Sequence, residues 1–195
     1  MQYIVTPYAE KIEPWVWWEG AFTEQELDYL QGKALKAQEA GQVGGTDDQE
    51  KLSQIRRSAV SWVENTTDTE WIYRKLSHVV SSLNSQFYRF DLTGFGERLQ
   101  LTNYRQDNQG MYGWHQDYGG DRQASRKFSL VLQLTDPADY EGGNLQIMVG
   151  REPQTVRKQR GLIAAFPSYT VHQVTPVVSG SRQSLVAWVT GPAFK

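Results

Sequence analysis

From Leu99 onward the chain breaks into short apolar runs separated by turn-forming residues, and this rhythm constrains its fold more than any other feature. Leu99-Gln-Leu-Thr-Asn-Tyr104, Phe128-Ser-Leu-Val-Leu-Gln-Leu134, Leu145-Gln-Ile-Met-Val149, Gly161-Leu-Ile-Ala-Ala-Phe166 and Ser184 to Val189 all have strand length. Asp136-Pro137, Gly142-Gly143 and Pro167 punctuate them. Strands at this spacing, with no helical pattern between them to make parallel crossovers, favour an antiparallel sandwich or barrel.

The first half reads differently. Thr23-Glu-Gln-Glu26 is a capping box with Phe22 and Leu27 placed as a hydrophobic staple, so a helix is expected from Glu24 to Ala40, stopping at Gly41. A second box, Thr67-Asp-Thr-Glu70, opens a stretch with Ile72, Leu76, Val79, Val80, Leu83 and Phe87 on one helical face. Between the helices, Gly41 to Gln54 is too polar to anchor in a core and is expected to be a loop, followed by a strand over Ile55 to Trp62. No Pro/Ser-rich linker divides the 195 residues. The chain is therefore expected to be one domain, 1–195, with a support region (1–98) backing a β core (99–195).

Three histidines are present. His115 and Asp117 are two apart, so on an extended segment from Tyr112 to Asp117 they share a side while Gln116 faces away. Alone, this pair is as compatible with a polar loop as with a metal site. A third ligand would come from His172, in the alternating segment Tyr169-Thr-Val-His-Gln-Val174. A sheet curled on itself could bring the two segments together. Two imidazoles and one carboxylate on one side of an ion describe an open iron site, whereas a structural site would be closed, with thiolates as its usual ligands, and the chain has no cysteine. His78 lies in the second predicted helix without a carboxylate at chelating spacing and reads as an ordinary helix residue.

Downstream, Arg182 offers a planar fork of donors matched to a carboxylate, and Ser184 shares its strand face, so the two could hold a dicarboxylic acid by one end. For Arg182 alone, a surface ion pair is the simpler reading. Its place after His172 and before the apolar run Leu185-Val-Ala-Trp-Val189 favours the clamp.

With these residues in view, Tyr104 to Val189 resembles the 2-oxoglutarate and Fe(II)-dependent dioxygenases of the prolyl 4-hydroxylase-like branch. The resemblance is carried by Gly110-Met-Tyr-Gly-Trp-His-Gln-Asp117, by Leu134 to Leu145 with its Glu-Gly-Gly-Asn run, and by Phe166-Pro-Ser-Tyr-Thr-Val-His-Gln-Val-Thr-Pro-Val177 with Gly180, Arg182 and Trp188. It implies a double-stranded β-helix, or jelly-roll, core with flanking helices. It also implies iron ligation by His115, Asp117 and His172, and binding of the distal 2-oxoglutarate carboxylate by Arg182 with help from Tyr104. Tyr112, Trp114 and Trp188 would line the substrate pocket. Arg182 stands where animal and plant prolyl 4-hydroxylases usually carry lysine.

The implied reaction couples oxidative decarboxylation of 2-oxoglutarate by dioxygen, giving succinate and carbon dioxide, to hydroxylation of a C–H bond, with ascorbate as a possible reductant. Retention of Asp117, a position that related halogenases lose, points to hydroxylation. The implied substrate is a prolyl residue in a peptide or protein. Rival readings are a hydroxylase of a free amino acid or other small molecule, closed over by Asp107 to Tyr112 and Gly119 to Ser125, and a non-catalytic jelly-roll binding module. A nucleic-acid demethylase lacks support, because Arg182-Gln-Ser-Leu-Val-Ala-Trp188 has no second arginine.

A net charge of −2 and a pI near 5.9 offer no general attraction to phosphate backbones. Arg56-Arg57 and the spread Arg151, Arg157, Lys158 and Arg160 read as solvated faces. Neither a long apolar stretch nor a signal-peptide pattern is visible, so no membrane partner is expected. The absence of cysteine suits a cytoplasmic protein.

Overall fold

The computed structural model describes residues 12–41, 49–119 and 121–193. Its elements in chain order are β1 (Val16–Trp18), α1 (Glu24–Leu35), β2 (Glu39–Ala40), α2 (Gln49–Ile55), β3 (Arg56–Arg57), β4 (Ala59–Val63), α3 (Glu70–Leu83) and β5 (Gly94–Phe95). Then come β6 (Leu99–Arg105), β7 (Met111–His115), β8 (Arg126–Gln133), β9 (Tyr140–Gly142), β10 (Leu145–Val149), β11 (Glu152–Thr155), β12 (Ile163–Pro167), β13 (His172–Val174) and β14 (Val177–Thr190). All strand pairs are antiparallel. A large sheet runs β1-β12-β8-β14-β6-β4-β2, with β5 and β9 also paired to β14, and a smaller sheet runs β11-β10-β13-β7-β3. This is the jelly-roll architecture expected of a chain that becomes strand-rich after Leu99.

Period-two alternation sorts the large sheet's side chains into two cores. Leu99 and Leu101, Phe128, Leu130 and Leu132, Ile163 and Ala165, and Leu185, Ala187 and Val189 join the helices in one core. Tyr104, Val131, Ala164 and Phe166 take the opposite face, joined by Leu145, Ile147 and Val174 of the smaller sheet. Both faces of the central strands are covered, which is why they read as nearly continuous apolar runs. On β14 the interior face carries Arg182, Ser184, Val186 and Trp188, the polar residues appearing where the site lies.

The first capping box forms as expected: the Glu26 N–H donates to Thr23 Oγ1 at 3.4 Å, and the Thr23 N–H donates to Glu26 Oε2 at 2.7 Å. The helix ends earlier than expected, at Leu35. The residues that follow are largely polar, and Glu39 and Ala40 pair instead with Val60 and Ala59 as an edge strand. The second box does not form. Thr69, not Thr67, precedes the helix, and its hydroxyl is turned back to the Glu64 carbonyl and the Thr66 N–H.

The expected face of α3 is buried through Leu83, but Phe87 is 39 % exposed and Tyr88 is buried in its place. Residues Asn84–Tyr88 form a π-helical turn, whose wider repeat advances the buried position by one residue. Of the expected loop over Gly41 to Gln54, residues 42–48 lie outside the described residues, and Gln49–Ile55 is helix rather than loop. That helix shortens the expected strand at Ile55, which breaks into β3 and β4. No helix among the described residues is long and apolar enough to cross a membrane.

Candidate metal and dicarboxylate site

In the smaller sheet β7 and β13 are neighbours, with His115 directly opposite His172 and their ring centroids 4.2 Å apart. Between His172 and Val174, β13 advances two residues while β7 passes from His115 to Tyr112. The extra residue is a bulge in β7, and bulges re-aim side chains. Simple alternation would put Tyr112 on the face opposite His115. Instead the two rings stack at 3.5 Å, 14° from parallel. Trp114, expected in the substrate pocket, is 41 % exposed and does not line the cavity described below, so that expectation is corrected.

Asp117 lies just past the end of β7. Its N–H and that of Tyr118 both donate to the Ser168 carbonyl, at 3.0 and 2.8 Å, which ties this segment to the turn before β13. His115 Nδ1 is 2.8 Å from the Gly113 carbonyl, and His172 Nδ1 is 2.9 Å from that of Thr170. A carbonyl can only accept, so each Nδ1 carries a proton and each Nε2 is left for another partner.

The two Nε2 atoms face the Asp117 carboxylate, His115 at 3.9 Å from Oδ1 and His172 at 3.7 Å from Oδ2. One donor atom from each of the three residues lies within 4.8 Å of the others, the one such group among the described residues. Burial, reinforced by His172, pushes the His115 pKa down to about 3, leaving its Nε2 lone pair free near neutrality. Burial works against the charge on Asp117, but His172 and His115 outweigh it and hold its carboxyl below the ordinary range. Asp117 Oδ2 is buried without a hydrogen-bond partner. The gaps are too wide for hydrogen bonds, and a divalent ion roughly 2 Å from each donor would bridge them. The donor set of two imidazoles and one carboxylate therefore fits iron(II).

Arg182 provides the second half. It is 1 % exposed, and among the described residues its Nε and Nη2 have no hydrogen-bond partner, while Nη1 donates to the Ser184 hydroxyl at 3.4 Å. Its guanidinium lies 5.5 Å from the Tyr104 ring centroid, since Tyr104 is its cross-strand partner on β6. Buried polar groups are nearly always satisfied, and a buried cation more so. Unpartnered guanidinium donors in the cavity that holds the orphaned Asp117 oxygen fit a bound carboxylate.

The cavity has a volume of about 1190 Å³, and its lining includes Tyr104, Tyr112, His115, Asp117, His172, Arg182, Ser184 and Trp188. The Trp188 indole N–H is also buried without a partner, and Arg126 lies 3.9 Å over its ring. Sequence reasoning missed several neighbours. Tyr140 is buried beside Arg182, which opposes the upward push of burial on its phenol, and the Tyr140-Glu-Gly-Gly run was its only signal. Arg56 and Arg57, read as a solvated face, line the cavity, and Arg56 is 8 % exposed. Spacing could not reveal this, because β3 reaches the cavity only by pairing with β7. His78 is exposed on α3, edge-on to Trp18. In the segment from Gly119 to Ser125, proposed to close the pocket, Gly120 lies outside the described residues and Asp121–Ser125 is a 3₁₀ turn.

Comparison with known proteins agrees with this geometry. Residues 99–190 match the 2OG-Fe(II) oxygenase superfamily. A PKHD-type hydroxylase of Synechococcus sp. strain CC9605 is 42 % identical over 79 residues, 40 % of this chain and 36 % of that protein. One of Synechococcus elongatus is 31 % identical over 126 residues, 62 % of this chain and 56 % of the relative. The chain thus spans about a third to a little over half of the length of these curated relatives.

Solved structures share the fold. A Pseudomonas putida prolyl-4-hydroxylase superposes with TM-score 0.70 at 18 % identity, over 92 % of this chain and 94 % of that one. A Trichoplax adhaerens prolyl hydroxylase gives 0.73 at 14 % identity, over 91 % and 84 %. Over residues 99–190 the chain is thus similar to the 2-oxoglutarate and Fe(II)-dependent dioxygenases. In fold it is prolyl 4-hydroxylase-like.

Proposed function

We propose that this protein hydroxylates a C–H bond using ferrous iron, 2-oxoglutarate and dioxygen, and that its substrate is a prolyl residue in a peptide or protein. The observation that carries the reading is one cavity holding both a buried, unpartnered Asp117 oxygen beside two imidazoles and a buried Arg182 with unpartnered donors. Those orphaned groups match the two components the reaction requires, a divalent metal and a dicarboxylate.

His115, Asp117 and His172 would hold the iron. Arg182 and Ser184 would bind the far carboxylate of 2-oxoglutarate, with Tyr104 packed alongside. When bound, these cofactors supply the oxidising chemistry that yields succinate, carbon dioxide and a hydroxylated product. The chain's own contribution is positional. Carbonyl acceptors fix both imidazole tautomers, the Tyr112 stack holds the His115 ring, and the buried strands of the large sheet keep Arg182 in place. Tyr112 and Trp188 give the cavity aromatic walls of the kind on which extended proline-containing peptides dock. The Trichoplax neighbour is described in complex with a hypoxia inducible factor oxygen degradation domain peptide fragment, which favours a peptide over a small-molecule substrate. The reading treats 1–195 as one unit acting without nucleic acid or membrane. A reducing compartment such as the cytoplasm, with ascorbate as reductant, would keep the iron ferrous.

The test is mass spectrometry of proline-containing peptides and free amino acids incubated with the protein, iron(II), ascorbate and 2-oxoglutarate. A gain of one oxygen on a peptide proline, matched by succinate, is expected. Oxygen added only to a free amino acid would select the small-molecule reading, and succinate-free mixtures would end the dioxygenase reading.

A further inference from the structure

We propose that Tyr140 and Lys158 are positioning residues for the dicarboxylate end of this site: acting through Arg182, they keep its donors turned to the cavity and give that end its preference for an oxo acid with a distal carboxylate. The inference rests on the hydroxylase reading and deepens it. Arg182 lines the cavity, whereas Tyr140 and Lys158 stand behind it.

The wall begins with β9 and β14, which pair so that Tyr140 lies opposite Gly180, two residues before Arg182. Tyr140 is 5 % exposed. The turn that follows, Gly142-Gly143, is what lets ring and arginine meet. At Gly143, with φ +56°, an added Cβ would fall 3.0 Å from Arg182 Cδ and 3.3 Å from Tyr140 Cε2, so the arginine stem and the ring edge converge on one bare backbone position. Lys158 closes the other side. Its Nζ donates to the Gly142 carbonyl at 2.6 Å and lies 4.2 Å over the Tyr140 ring centroid. One aromatic ring thus carries an ammonium on its face and has the stem of a guanidinium packed beside its edge.

Charge gives this wall its selectivity. Lys158, which spacing alone would leave on a solvated face, is half-buried, and burial and the nearby Arg182 both push its pKa down, with Glu141 opposing them. Burial raises the Tyr140 phenol, and the Arg182 charge works against it. The two cations therefore feel one another through a partly desolvated wall, where charges act more strongly than in water. A carboxylate bound to Arg182 relieves that repulsion and is attracted by both charges. An oxo acid that ends in a methyl group gains from neither.

The test is calorimetric titration of the manganese-loaded protein with 2-oxoglutarate and with 2-oxopentanoate, which has the same carbon chain but a methyl group in place of the distal carboxylate. The parent should bind 2-oxoglutarate on the order of 100-fold tighter than 2-oxopentanoate. Tyr140→Phe keeps the ring under Lys158 and removes the hydroxyl beside Arg182, and Lys158→Met keeps the stem and removes the charge. Each should weaken 2-oxoglutarate about fivefold while leaving 2-oxopentanoate unchanged. Lys158→Arg should restore the parent affinity, and added salt should narrow the gap between the parent and Lys158→Met. Manganese affinity, set by His115, Asp117 and His172, should stay at the parent value in every variant. Equal weakening of both acids, or a parallel loss of manganese affinity, would mean a structural role alone and overturn the inference, as would unchanged 2-oxoglutarate affinity in either variant. A parent that binds no 2-oxoglutarate would instead end the hydroxylase reading, and this inference with it.

Discussion

At residue scale the site is defined by groups whose local stability has been left incomplete. Arg182 is a buried cation with two unpartnered donor atoms, an arrangement that costs folding free energy in the absence of an anion. Arg182→Met should therefore leave the cofactor-free protein at least as stable as the parent in thermal denaturation. The same change should weaken 2-oxoglutarate binding on the order of 100-fold, as loss of charge-assisted hydrogen bonds implies. Calorimetric titration measures the second effect, and unchanged affinity would remove Arg182 from its proposed role. Asp117 is the matching case for the metal. Asp117→Ala should lower iron affinity by more than about 100-fold and abolish succinate formation, read by metal analysis and product assay. Normal succinate formation in that variant would refute the ligand assignment.

At the scale of elements, pairing and phase decide which residues meet. The π-helical turn after α3 exchanges Phe87 for Tyr88 in the core. Phe87→Ser should change stability by less than about 0.5 kcal/mol, whereas Tyr88→Ala should cost about 3 kcal/mol in urea denaturation. The reverse ranking would restore an uninterrupted α-helix. A second checkpoint is Gly180, at φ +70°, where an added Cβ would fall 2.0 Å from the Asp139 carbonyl oxygen. Gly180→Ala should cost about 2 kcal/mol or more and, by parting β9 from β14, loosen Tyr140 against Arg182 and raise the 2-oxoglutarate Kd.

For the whole molecule, the two sheets hold the two halves of the site: the smaller one carries His115 and His172, and the large one carries Arg182, Ser184 and Trp188. Ligands that engage both halves should stabilise the jelly roll as a unit. At about 100 times Kd, 2-oxoglutarate with a divalent metal should add roughly 2.7 kcal/mol. That corresponds to a rise of about 5–10 °C in Tm for a chain of this size. A chelator should remove the shift, and a full shift with 2-oxoglutarate alone would separate cosubstrate binding from the metal.

Much of this was legible from the chain alone, because it depends on local chemistry. The strand rhythm after Leu99, the first capping box, the spacing of His115 and Asp117, and the two-residue interval from Arg182 to Ser184 are properties of neighbouring residues, and the structure displays each of them. What spacing could not reveal depends on contacts between distant segments. The bulge that turns Tyr112 onto His115, the exposure of Trp114, the π turn that buries Tyr88, and the pairing that carries Arg56 to the cavity are settled by competition among strands and helices for the same space. Periodicity reports which side of its own element a residue occupies, but what lies on that side is chosen only when the sheets close.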